Sequence, residues 1–284
     1  AYQKAVEYAR DRVQSRAVGS PDPAGVPIIQ HPDVRRMLMT MRAQIEAQRA
    51  LTFYTAAALD RAGRHPAPGE AARNQALLNF LIPIVKGWNT EQANEITSLA
   101  IQVHGGMGFI EETGVAQYYR DARITAIYEG TTGIQALDLI GRKTAADHGV
   151  AARALLGEAH ATVAKLQAAG FASIAANLEA ASADAERCVA FILETFGSQP
   201  QLAAAGSVPF LKLMGIVLGG WQLGRAALIA KDKLQEADAD VEFLNAKIVT
   251  ARFFAEHLLP QVSGLAAAIL HGADSALALD DSQF

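Results

Sequence analysis

The chain has 284 residues, 51% hydrophobic and 19% charged, with a formal net charge of −4. That apolar fraction excludes a disordered chain, and the negative balance leaves a nucleic-acid partner no electrostatic footprint. No run reaches the ~18 consecutive apolar residues expected of a membrane-spanning helix. The richest stretch, Val208 to Ala230, is interrupted by Lys212, Gly215, Gly219, Gly220 and Arg225. The lone Cys188 rules out a disulfide framework or a thiolate metal cage and predicts a reducing, cytoplasmic setting. The chain opens at Ala1 without Met and without a basic or apolar signal segment, so the start predicts no targeting peptide. Either the Met was removed or the chain is part of something longer.

Helix formers dominate in chain order. A first helix is predicted over 1–17, followed by a breaker-rich loop from Gly19 to Pro27. A long helix runs from Pro32 to Arg61, with Val34, Leu38, Met41 and Ile45 on one face. A second spans Glu70 to Val103, where Pro83 is expected to kink or split it, and His104-Gly105-Gly106 to end it. A short helix near 117–122 precedes another that starts at Thr131 or Thr132 and reaches Gly141. Beyond 142 the composition becomes richer in Ala, with helices near 150–168, 171–196, 208–233 and 239–271 and a bend at Pro260. The expected fold is all-α: an up-down four-helix bundle over 1–142, a linker at 143–149 and a second helical bundle over 150–284. A stripe from Val241 through Leu244, Ile248 and Ala251 to Ile269 reads first as core packing of that second bundle, and otherwise as an assembly surface.

Two short stretches could carry chemistry. His104-Gly105-Gly106-Met107-Gly108 follows a helix instead of a strand, so it is not a Rossmann fingerprint. Gly105 and Gly106 can supply left-handed backbone at a helix end, and equally let a bulky anion approach. Glu129, between Tyr128 and Gly130, reads either as an acidic residue ahead of a helix or as a carboxylate projected into a cleft. Ile124, Ala126 and Ile127 would then supply the apolar wall that favours a general base. Glu158-Ala159-His160 and Glu256-His257 have the wrong spacing for a di-iron bundle, so no metal is predicted.

The run from Gln102 to Glu112, then Tyr119-Arg120-Asp121-Ala122-Arg123-Ile124, then Ile127 to Thr131, resembles the C-terminal domain of the acyl-CoA dehydrogenase family in order and gaps. Tyr8 to Arg12 and Gln30-His31-Pro32 fit the same domain's first helix and the loop after it. Glu111-Glu112-Thr113-Gly114 and the helical extension past 142 resemble the longer branch that includes methylmercaptopropionyl-CoA dehydrogenases. The resemblance implies an FAD enzyme that forms a trans-2-enoyl-CoA from an acyl-CoA. A carboxylate removes the α-proton, the flavin accepts the β-hydride, and electron-transfer flavoprotein is the acceptor. It puts the base on Glu129, a pyrophosphate contact on Arg12, and Thr131 near the adenosine end. Gln102, Gly105 and Gly106 fall on the loop that reaches the flavin of a neighbouring subunit, so a homodimer is expected. Gln14-Ser15-Arg16 and Gly133 depart from the family pattern, which often has an aromatic and a glycine at the first and Gln at the second. An acyl-CoA oxidase and a non-catalytic helical assembly or acyl-binding module are the alternatives.

Overall fold

The computed structural model describes residues Ala1–Phe284, and the fold is all-α, with one isolated antiparallel bridge between Val13 and Pro27. Thirteen α-helices follow in order: α1 Tyr2–Asp11, α2 Pro32–Arg64, α3 Pro68–His104, α4 Gly106–Phe109, α5 Val115–Arg123, α6 Thr132–Ile140 and α7 Val150–Ala168. After these come α8 Ala172–Thr195, α9 Pro200–Ala205, α10 Ser207–Lys233, α11 Val241–His257, α12 Gln261–His271 and α13 Ala273–Ala276.

The residues form two compact units, 1–45 with 90–129, and 46–89 with 130–284. This division differs from the expected cut at 143–149, because α2 and α3 each pass from one unit into the other. A π-helical turn, Gly141–Ala145, extends α6, and the fully buried Thr144 hydroxyl donates to the Leu139 carbonyl.

In the first unit, Ala5 and Ala9 of α1 pack with Met37, Leu38 and Met41 of α2, Ile96, Ala100 and Val103 of α3, and Val115 of α5. The small alanines let helix axes approach closely. The first helix ends at Asp11 rather than at 17. From Arg12 the backbone turns extended and exchanges hydrogen bonds with the far side of the loop: Ile28 N–H to Arg12 O (2.8 Å), Gln14 N–H to Val26 O (3.1 Å) and Val26 N–H to Ser15 O (2.9 Å).

The second unit is built around α10, most of whose residues are buried. By length and hydropathy alone the segments Ser207–Lys233 and Val241–His271 could each cross a membrane. In the fold, α10 spends its apolar surface on α6, α7, α8, α11 and α12. The 241–271 stretch is two helices, broken after His257 ahead of Pro260. Of the stripe, Leu244, Ala251, Ala255, Leu258, Val262 and Ile269 are buried, whereas Val241 is exposed. The core-packing reading of the stripe therefore holds. Pro83 does not split α3, which runs through it unbroken. The lost helical bond costs about 3 kcal/mol, but Phe80, Leu81 and Ile84 around it are almost wholly buried and offset it.

Candidate functional site

Three of the residues singled out in the sequence meet in one open cleft of about 450 Å³ in the first unit: Arg12, Gln102 and Gly105. Its position follows from the end of α1. Once the helix stops at Asp11, the backbone becomes extended at Arg12 and turns at Ser15, which is in a left-handed conformation (φ 58°). His31 clasps this turn, with Nε2 donating to the Gln14 carbonyl at 2.7 Å. Opposite, α3 ends in the buried His104, whose Nδ1 hydrogen-bonds the Ala100 carbonyl at 2.7 Å and whose ring stacks on Tyr8 at 4.3 Å.

Tyr8, Gln14, Ser15, Arg16, His31 and His104 also line the cleft, and none of them was assigned a role from the sequence. The signal was present for His31 and Tyr8, which sit in the quoted motif stretches. For Ser15 and Arg16 it was not, since the left-handed turn depends on pairing with residues 26–28. Two guanidinium groups, an amide and a glycine without a side chain make this cleft chemically suited to a multiply charged anion.

The glycine loop is used differently from expectation. Gly105 is left-handed (φ 60°), but Gly106 is not; it opens α4, is exposed and does not line the cleft. The glycine with a steric requirement is Gly108, where a Cβ would lie 2.3 Å from the Ile101 carbonyl oxygen. The same loop carries Phe109, 83% exposed, beside a second cavity of about 570 Å³. There Arg120 grips Glu111 with both terminal nitrogens at 2.8 Å.

Glu129 and Thr131 lie outside the Arg12 cleft. Glu129 adopts φ 53° and Gly130 φ 82°, two left-handed residues in succession, the first of which carries a side chain. Such backbone is costly for a non-glycine residue, and its presence points to a required direction of the side chain. Thr131 then caps α6, its hydroxyl accepting from the Ile134 N–H at 3.3 Å. From α3, Lys86 Nζ donates to the Gly130 carbonyl at 2.5 Å. The apolar wall expected around Glu129 is incomplete in this chain: Ala126 is buried, but Ile124 and Ile127 are about half exposed and Glu129 is exposed.

The family model described as "Acyl-CoA dehydrogenase, C-terminal domain" matches residues 1–145, and "Acetyl-CoA dehydrogenase C-terminal like" matches 155–280. The chain is 50% identical over 279 residues to the 3-methylmercaptopropionyl-CoA dehydrogenase of Ruegeria pomeroyi, covering 98% of this chain and 47% of that protein. It is 33% identical over 296 residues to the broad-specificity linear acyl-CoA dehydrogenase FadE5 of Mycobacterium tuberculosis, covering 100% of this chain and 48% of that protein. The chain thus spans about half the length of these curated relatives. Among solved structures, the acyl-CoA dehydrogenase complexed with FAD from Bacillus anthracis is alike in fold, with a TM-score of 0.69 at 16% identity over 96% of this chain and 45% of that one.

Proposed function

This chain belongs to the acyl-CoA dehydrogenase family, and from that premise we propose that it is the base-bearing portion of a flavin-dependent acyl-CoA dehydrogenase, with Glu129 removing the substrate α-proton. The observation that carries this reading is the left-handed backbone at Glu129, followed directly by the Gly130 carbonyl that Lys86 bonds and by the capped start of α6. A carboxylate at a fixed angle is what abstraction of one particular proton requires, because proton transfer works only within hydrogen-bond reach. The product is a trans-2-enoyl-CoA. The exposure of Glu129 and of the isoleucines beside it is consistent with a cleft whose remaining walls come from other parts of the enzyme.

The Arg12 cleft suits FAD on its own chemistry. Arg12 and Arg16 offer paired donors to a diphosphate, Gln102 offers an amide, and Gly105 leaves room for close approach. When bound, FAD supplies the acceptor for the hydride that leaves the β-carbon. Thr131 stands at the start of α6, its hydroxyl capping the helix, and on this reading it lies near the adenosine end of the flavin. Electron-transfer flavoprotein as acceptor, a two-fold homodimer sharing the Gln102–Gly108 loop, and a cytoplasmic location complete the reading. The exposed Phe109, immediately after that loop, supports the dimer.

The test is Glu129→Gln in the full-length protein, which keeps size and polarity and removes the basic lone pair. Anaerobic bleaching of the flavin by a panel of acyl-CoA thioesters should slow by about 10²–10⁴-fold, with flavin content and helicity retained. Bleaching at the wild-type rate would remove Glu129 from the role.

A further inference from the structure

We infer that Lys86 is a positioning residue for the Glu129 turn. Its ammonium holds the Gly130 carbonyl, and through it fixes the left-handed Glu129–Gly130 pair that sets where the carboxylate points. This inference rests on the reading of Glu129 as the base.

Lys86 is an unusual residue for its place. It is the only charged residue between Arg73 and Glu91, in a run whose Leu81, Ile84 and Trp88 are at most 1% exposed. Lys86 itself is only half-buried, and its Nζ reaches the Gly130 carbonyl at 2.5 Å. That carbonyl belongs to the residue immediately after Glu129 and two before the first residue of α6. A helix start carries the positive end of the dipole, so a cation there is the wrong charge for stabilising α6. An Asp or Glu would serve the helix better. What the ammonium does supply is a charged donor for a carbonyl that stands before the first acceptor of the α6 hydrogen-bond ladder, the Thr131 carbonyl.

The two sides of the turn are then held by different devices. Downstream, the Thr131 hydroxyl accepts from Ile134 N–H and the Thr131 carbonyl accepts from Gln135 N–H at 3.0 Å. Upstream, the Tyr128 N–H donates to the Ile124 carbonyl at 3.0 Å, which ends the preceding helical turn. Between these anchors lie Glu129 and Gly130, and the Lys86 bond acts at that point. Without it, the turn loses one of its restraints, and Glu129 shifts towards the ordinary right-handed or extended backbone that a side chain prefers, turning the carboxylate from its working direction.

The experiment uses Lys86→Met and Lys86→Arg in the full-length, flavin-loaded protein, with Lys86→Gln in place of the Met variant if that one does not fold. A small misplacement of a reacting group is enough to lower kcat roughly 10- to 100-fold, while KM, set elsewhere, changes by less than about two-fold. Arg should restore most of the loss, since it too donates from a charged group. Independently of activity, hydrogen exchange in the peptide 127–135 should quicken in the Met variant, with melting temperature and exchange elsewhere unchanged. A Met variant with wild-type kcat, an Arg variant no better than Met, or exchange that quickens uniformly along the chain would overturn the inference. Glu129→Gln measured alongside separates the two claims. If it turns over normally, the base reading falls while the exchange data still judge the Lys86 bond. If it is silent and Lys86→Met is fully active, only the Lys86 role falls.

Discussion

Gly215→Ala tests whether the segment 155–280 shares one core with the helices before it. On α10, Gly215 lies against Trp88 of α3, and a Cβ at that position would meet the indole Cγ at 2.3 Å and Cδ2 at 2.5 Å. Gly219 continues the same contact one turn on, its Cβ site 2.7 Å from Trp88 Cη2. Carbon atoms rest at about 3.5–4.0 Å, so one methyl group demands more than an ångström of retreat from a rigid ring that is 1% exposed. Overpacking of this kind costs about 1–3 kcal/mol, and the rigidity of the ring puts it near the top of that range. Against it, Ala is about 1 kcal/mol better than Gly inside a helix. The net expectation is a loss of about 2 kcal/mol, or roughly 4–8 °C in melting temperature for a chain of this size. Urea and thermal unfolding followed by far-ultraviolet circular dichroism read it directly. The decisive comparison repeats Gly215→Ala in a Trp88→Leu background. With the ring gone, the helix-propensity gain should emerge and the substitution should become neutral or stabilising, a coupling of about 2–3 kcal/mol. If Gly215→Ala costs the same in both backgrounds, α10 does not rest on α3 as described, and the shared core is refuted.

Three other expectations concern the site, the assembly and the lone cysteine. Arg12 makes no side-chain hydrogen bond or ion pair within this chain, so Arg12→Ala should leave the fold intact. Loss of a charged contact to a diphosphate should weaken FAD binding to the deflavinated full-length protein about 10- to 100-fold by calorimetry, and unchanged affinity would remove Arg12 from the cofactor site. Light scattering at micromolar concentration should report a dimer that Phe109→Asp weakens; a monomer at every concentration would remove the shared-loop picture. Burial pushes the Cys188 thiol up to about 11, from an ordinary value near 9. The neutral thiol is the form the fold favours, so this contribution is complete below pH 9 and is lost as pH rises through 11. Wild type should therefore lose more melting temperature than Cys188→Ala between pH 8 and about pH 10.5; equal losses would count against the buried thiol.

Much of this protein was determined locally and could be read from its residues alone. Gly105 ends α3 and Thr131 opens α6 because backbone conformation and capping are decided within three or four residues. The bend at Pro260 and the buried stripe from Leu244 to Ile269 follow from ring chemistry and from the 3.6-residue period. The motif stretches around Gly105 and Glu129 were equally legible, since a glycine or a carboxylate declares its type wherever the chain folds. Tertiary structure decided the rest, and in each case a partner distant in sequence made the choice. The first helix stops at Asp11 because Val26 and Ile28 compete for the backbone of Arg12 to Ser15. Pro83 is tolerated because buried neighbours repay a bond that local propensity counts as lost. The compact units are cut across α2 and α3, a division with no mark in composition, because α10 arrives from far along the chain to cover Trp88. Lys86 meets Gly130 in the same way: nothing near either residue in sequence announces the other, and only folding brings an ammonium to that carbonyl.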